Sequence, residues 1–365
     1  MMRHVAANAL TLLILGLVVL FGAVTWVKTQ YRNPGPLTAP LDFEVERGEA
    51  LGGVADKLVQ AGAISNASIF RVAARYAHLD EGLKFGEYSI PAGASMQDIL
   101  ELLNKGGNVV RQIVVPEGLT SFQVVELLRE REELTGDVAA VPPEGSLAPA
   151  GYDFQRGDAR ADVLARMQAK QEEILAAAWA GRADGLPLRS PQELLTLASI
   201  VEKETGVPEE RPRVAEVFVN RLKKGMKLQT DPAVIYGLTK GEGALGRGIR
   251  ASELATATPY NTYMIAGLPP TPIANPGKAA IEAAANPTVG DDLYFVADGT
   301  GGHAFASTLE AHNQNVAAWR RLEAQKAAQA AAPAGDGGAA AQPGPDVEGT
   351  PGEVEGPMPR AAAQP

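Results

Sequence analysis

Uncharged, mostly apolar residues run from Ala9 to Val27, about nineteen positions, which is the length a helix needs to cross a bilayer core. A cleaved signal peptide is the competing reading. Its apolar region is shorter, about 7–15 residues, and ends in a small-x-small site that is not convincing here. The pattern therefore predicts one membrane span over 9–27, with Trp26 and Tyr31 in an interfacial belt. Arg3 precedes it and Lys28 and Arg32 follow it, so charge alone leaves its orientation open.

After a Pro-rich linker over 28–40, an apolar strand, a turn glycine and an amphipathic helix recur in three copies. The first is Phe43 to Gly48 followed by Leu51 to Val59, the second Tyr88 to Gly93 followed by Met96 to Leu103, and the third Ile113 to Gly118 followed by Phe122 to Leu128. Ser95, and Thr120 or Ser121, stand where N-caps belong. We expect a βα module over 41–130 and a Gly, Pro and Ala-rich connection over 131–157. A second ordered block over 158–324 opens with a long helix whose apolar face is Val163, Leu164, Met167, Ile174 and Leu175. The predicted fold class is α+β. Over 325–365 Ala, Pro, Gly and acidic residues alternate without period, so a disordered tail is expected.

Composition narrows the chemistry. The 365 residues include no cysteine, which excludes disulfides, thiolate catalysis and Cys-ligated metals. The formal charge of -10 argues against a nucleic-acid partner held through phosphates. His4, His78, His303 and His312 form no metal-binding motif, so no metal is expected, and His303 reads as a loop residue first. Phosphate-binding loops and serine-hydrolase elbows are missing, and Ser199 and Ser307 lack a histidine base signature.

The densest segment is 190–206. Ser190 as N-cap, Pro191 at the first helical position and Glu193 for a capping box start a helix that Gly206 and Pro208 stop. Its apolar stripe of Leu194, Leu197, Ala198 and Val201 is flanked by Glu202 on one edge and Glu204 on the other, with Lys203 pointing away. Two residues apart, the carboxylates face roughly 200° from each other, so they are not by themselves a glycosidase pair. A carboxyl at the rim of an apolar face has a raised pKa and suits a general acid. The same periodicity also describes a surface helix ending in a solvated charge cluster. Downstream, Gln229, Thr230, Asp231, Tyr236, Tyr260, Asn261 and Tyr263 are residue types that suit a sugar cleft, through ring stacking and amide hydrogen bonds, and equally make ordinary turns.

The stretches 197–205, 217–222, 228–232, 260–263, 267–270 and 293–298 stand in the order and spacing of a known family. The chain resembles the YceG-like endolytic murein transglycosylases, the MltG family, over roughly 41–319. The resemblance implies a membrane-anchored protein with a LysM-like peptidoglycan-binding module and a mixed α/β catalytic domain. It marks Glu202, rather than Glu204, as the acid/base that cleaves the β-1,4 bond between N-acetylmuramic acid and N-acetylglucosamine. The muramoyl C6 hydroxyl would serve as nucleophile, so 1,6-anhydro ends result and no cofactor is needed. Gln229, Thr230, Asp231, Tyr236, Tyr260, Asn261 and Tyr263 match motif positions and are expected as substrate contacts. The implied setting is the inner membrane, amino terminus in the cytoplasm and catalytic domain in the periplasm. There it would end nascent glycan strands beside penicillin-binding proteins. One motif departs from the family: in 144–152, Gly151 replaces the usual threonine. A non-catalytic peptidoglycan-binding scaffold is the alternative, and an ordinary hydrolase, with Asp231 as a water-orienting base, a second.

Overall fold

The apolar amino-terminal run forms α1 (Met2–Arg32), of which Leu10–Arg32, with mean hydropathy 2.5, is long and apolar enough to cross a membrane. The helix continues beyond the span expected at 9–27 and through the first residues of the expected linker. Packing explains this, because Val27 and Tyr31 lie against the core of the first folded unit and are not part of a solvated spacer. The computed structural model describes residues 2–79 and 82–331. Its contacts divide into two units. The first comprises 1–113, 131–136 and 152–160, and the second 114–130, 137–151 and the chain from 161 onward.

In the first unit, β1 (Leu41–Val45), α2 (Leu51–Gln60), α3 (Ala67–Tyr76), β2 (Gly86–Ile90), α4 (Met96–Lys105) and β3 (Arg111–Val114) follow α1. Strands β1 and β2 are antiparallel, from Leu41 opposite Ile90 to Val45 opposite Gly86. Alternation sends Phe43, Val45, Tyr88 and Ile90 into a core completed by Val54, Leu58, Phe70, Ile99 and Leu103. Three successive βα copies were expected, but the strands of the first two copies pair with each other across two intervening helices. The unforeseen α3 starts at Asn66, whose side chain accepts the N–H groups of Ser68 and Ile69, and it buries Ile69, Phe70 and Ala74.

The third copy does not belong wholly to this unit, since α5 (Ser121–Arg129) falls in the second. Its cap is Thr120, in a capping box with Gln123, as Ser95 and Asp98 form one for α4. Within the expected connection lies a further strand, β4 (Gly151–Phe154), which pairs with β3.

The second unit continues with α6 (Arg160–Ala180), α7 (Pro191–Glu204), a 3-10 turn at Pro208–Glu210, α8 (Arg211–Lys223), α9 (Asp231–Thr239), α10 (Ala251–Ala255), α11 (Lys278–Ala285), β5 (Tyr294–Ala297), β6 (His303–Ala306) and α12 (Leu309–Ala331). Helix α7 packs on α8, α9 and α11, and every residue from Leu194 to Val201 is buried. This overturns the surface-helix reading, because a helix buried all round is a core helix. Its polar members are satisfied: Thr196 Oγ1 donates to Gln192 O at 2.9 Å, and Ser199 Oγ donates to Thr196 O at 2.8 Å while accepting Ile273 N–H at 3.0 Å. Strands β5 and β6 form an antiparallel pair. Helix α12 carries the chain to Ala331, past the tail boundary expected at 325, and the rest of that tail lies outside the described residues.

Phe70 is completely buried where α3 meets the first unit's core. Phe70→Ala should therefore destabilise that unit by about 3–5 kcal/mol in urea unfolding, and a loss below about 1 kcal/mol would contradict this packing.

Candidate active site

The end of α7 sorts the two glutamates as the helical wheel predicts. Ser190 caps the helix by accepting Glu193 N–H at 3.2 Å, but Glu193 reaches back to Arg189 N–H at 2.7 Å and does not close a box on Ser190. The Glu202 side chain, 6% exposed, accepts Gly277 N–H on Oε2 at 3.0 Å. Its Oε1 faces Arg211 Nη2 at 3.4 Å, and the same nitrogen donates to Glu117 Oε2 at 3.0 Å. Gly277 is the N-cap residue of α11, so the carboxylate meets the positive end of that helix. A side chain at Gly277 would collide with Glu117, which explains glycine there. Burial raises the Glu202 pKa above the usual carboxylate range; the Gly277 N–H opposes this, Glu117 adds to it, and Arg211 and Lys203 oppose it. Lys203 is exposed, as expected, but its ammonium reaches back to Gly118 O at 3.3 Å.

Three loops meet beside this carboxyl, joined by the fully buried Asn275. Its Nδ2 donates to Leu119 O at 3.0 Å and Ser121 Oγ at 3.2 Å, and its Oδ1 accepts Leu147 N–H at 2.9 Å. Its backbone accepts Gly118 N–H at 3.0 Å and donates to Leu119 O at 2.8 Å. On the same loops Glu144 accepts Ser121 N–H at 2.8 Å. Burial raises the Glu144 pKa, against hydrogen bonds from Ser121, Tyr236 and Gly145. The Tyr236 phenol is pushed up by burial and then by the charge of Glu144. The Tyr236 and Tyr260 rings lie 5.0 Å apart, and Tyr260 Oη is 2.7 Å from Thr271 Oγ1. Gly241, at φ 77°, lies against Tyr236 and Thr120 where a Cβ would not fit.

The other expected contact residues gather elsewhere in the unit. Tyr263 Oη donates to Asp231 Oδ1 at 2.5 Å, and burial followed by Asp231 raises that phenol's pKa. Thr230 is 1% exposed and pairs through its backbone with the Thr262 hydroxyl, at 2.9 and 3.1 Å. Glu204 joins them. Its pKa is raised to about 7 by burial, which the Thr230 hydroxyl opposes, Asp231 reinforces and Arg221 opposes. Arg221 is anchored on Leu293 O and Leu228 O, both at 2.7 Å. Gln229 is exposed, in the left-handed region at φ 52°, with its N–H on Thr262 O at 3.2 Å. Asn261, 1% exposed, staples its loop: Nδ2 donates to the carbonyls of Glu253, Leu254 and Thr256 and Oδ1 accepts Tyr263 N–H. That is a structural role where a substrate contact was expected.

Thus Thr230, Asp231 and Tyr263 lie near Glu204, Tyr236 adjoins Glu144 with Tyr260 against its ring, and the immediate partners of Glu202 are Gly277, Arg211 and, through Arg211, Glu117. Sequence reading singled out none of these three. Arg211 follows the charged Glu209-Glu210 pair, which reads as solvated, yet it is 9% exposed. The signal available in the sequence was the run 272–277, dense in backbone-fixing residues with two prolines, an asparagine and a glycine, and the fold buries all six of its positions. His303 packs structurally, its Nδ1 2.6 Å from Glu210 Oε2. Among the described residues no group of three or more His, Asp or Glu side chains could hold a metal ion.

The sequence model of the YceG-like family matches residues 43–318. The chain belongs to the YceG-like family. An endolytic murein transglycosylase of Streptococcus pneumoniae serotype 2 (strain D39 / NCTC 7466) is 31% identical, over 75% of this chain and 57% of that protein. The match thus spans little more than half the length of that relative. An endolytic murein transglycosylase of Bacillus subtilis (strain 168) is 29% identical over 75% of this chain and 83% of its own length. A YceG-like protein of Listeria monocytogenes, in a crystal structure at 2.6 Å, is 30% identical over 75% of this chain and 98% of that one, with a TM-score of 0.46.

In the folded chain Glu204 keeps its proton to about pH 7, against an ordinary value of 4.5. The fold binds more protons than the unfolded chain between these values, so this group makes stability fall as pH rises through that window. Glu204→Gln should remove that slope, so its stability relative to wild type increases from acid to neutral pH in urea unfolding. A difference independent of pH would contradict the account.

Proposed function

We propose that this chain is an endolytic lytic transglycosylase that cuts the β-1,4 bond between N-acetylmuramic acid and N-acetylglucosamine inside nascent peptidoglycan strands, leaving 1,6-anhydro ends. The observation that carries the reading is the setting of Glu202. Burial and Glu117 favour its neutral form, while Gly277 N–H and Arg211 favour its anion. A group supported in both forms can protonate the glycosidic oxygen and then, as carboxylate, take the proton of the muramoyl C6 hydroxyl as that hydroxyl attacks C1. The attacking oxygen belongs to the substrate, so a second protein carboxylate is not required, and its fixed proximity lets it compete with water.

Tyr236, Tyr260 and Glu144 would line the sugar path, with Gln229 an exposed contact, and Thr230, Asp231 and Tyr263 would support it from the Glu204 side. The first unit would grip glycan, as its LysM-like resemblance implies. The apolar helix would anchor the chain in the inner membrane with the folded units in the periplasm, where it would terminate strands made by penicillin-binding proteins. The names of the relatives support an enzyme over a non-catalytic scaffold.

Glu117 favours a second reading. It shares one Arg211 nitrogen with Glu202, so a second carboxylate stands beside the candidate acid, and if it acted on water the reaction would be hydrolysis.

The test is release of fragments from uncrosslinked glycan strands by the full chain. Glu202→Gln should lower the rate by about 10²–10⁴-fold with the fold intact. Undiminished cleavage by the variant would refute the assignment, and no cleavage by folded wild type would favour the scaffold.

A further inference from the structure

The first unit is seated directly on the end of α1. Val27 and Tyr31, a helical turn apart, pack against its core, and α1 touches both α3 and α4. The apolar run ends at this level, where Lys28 and Arg32 follow and Trp26 is 57% exposed. If α1 spans a bilayer, no flexible spacer separates the unit from the membrane surface.

Helix α3 is one of the elements held against α1. It turns Ile69, Phe70 and Ala74 inward and leaves Ser68, Val72, Arg75 and Tyr76 exposed, positions that share one face of a helix. Val72 is 60% and Tyr76 84% exposed. An aliphatic side chain, a tyrosine and an arginine together match the headgroup layer, which accepts the apolar body and polar tip of tyrosine and offers phosphates to a guanidinium.

We propose that this outer face of α3 rests in the headgroup region of the bilayer, giving the first unit a second attachment beside α1. The proposal rests on α1 being a membrane anchor. Continuity with the span favours lipid as the occupant: the face lies on one of the two helices against which α1 packs, at the end of the apolar run. Two large apolar side chains are also too little for a stable protein interface. The attachment would fix the tilt of the first unit, where a single helix would let it swivel.

The chain contains no cysteine, so single substitutions can carry an environment-sensitive fluorophore in the full-length protein. Val72→Cys and Tyr76→Cys place it on the α3 face, Leu15→Cys in the middle of the span, and Glu46→Cys at a side chain 72% exposed. All are exposed positions in the protein, so the fold should tolerate the label. The protein is reconstituted in vesicles of phosphatidylethanolamine and phosphatidylglycerol, with a doxyl quencher on the lipid or iodide in the water. The labels at Leu15, Val72 and Tyr76 should lose most of their emission to the doxyl lipid and little to iodide, and the Glu46 label should do the reverse. If Leu15 is quenched by lipid while Val72 and Tyr76 behave like Glu46, the proposal is wrong and the anchor stands. If Leu15 escapes the lipid quencher, the anchor fails and the proposal with it. Val72 and Tyr76 labels shielded from iodide but untouched by the lipid quencher would mean a protein partner such as a second copy, and would also overturn it.

Discussion

The hydrogen bonds of the buried Asn275 amide hold the candidate site together. One side chain and its backbone fix Gly118, Leu119, Ser121 and Leu147, and two residues further on Gly277 presents its N–H to Glu202. Each polar group so joined is buried or nearly so, and leaving one unpaired costs about 1–3 kcal/mol. The same amide thus sets the position of Glu202's backbone donor and of the loop on which Glu144 accepts Ser121 N–H. Loss of this junction would free both carboxyls from their fixed partners at once.

Around that junction, one helix end serves two electrostatic environments. Glu202 and Glu204 leave α7 in nearly opposite directions. The first meets a helix N-terminus and Arg211, and the second meets Asp231, Thr230 and Arg221. The carboxyl raised to about 7 is Glu204, yet the proposed reaction gives the exchange of the proton to Glu202. A catalytic acid also needs its anion stabilised after the proton has left, and Gly277 N–H provides this from fixed backbone. Glu204, with the Asp231–Tyr263 pair and the anchored Arg221, reads as a half-buried polar support at the end of α7.

Features governed by neighbours in the chain were legible in the sequence: the apolar span, the caps at Ser95 and Ser190, a third cap narrowed to Thr120 or Ser121, and the divergence of the two glutamates. What depends on distant partners was not. Period-2 alternation marks β1 and β2 as strands but does not say that they pair with each other across α2 and α3. A repeat of strand, glycine and helix does not reveal that α5 belongs with the second unit, because that follows from Ser121 and Asn275, which are 154 positions apart. Nothing local marks Arg211, for the same reason, since only the fold brings Glu117 and Glu202 to it. Asn261 had the residue type of a sugar contact, but its amide is consumed by three carbonyls at the end of α10.

In the proposed reaction one carboxyl suffices, because the substrate supplies the attacking oxygen. The most direct measurement is mass spectrometry of the ends released from uncrosslinked strands in water enriched in oxygen-18. Anhydromuramoyl ends free of the heavy isotope are predicted. Reducing ends carrying oxygen-18 would show that water is the nucleophile, and would turn the Glu117–Glu202 pair into the acid and base of a hydrolase.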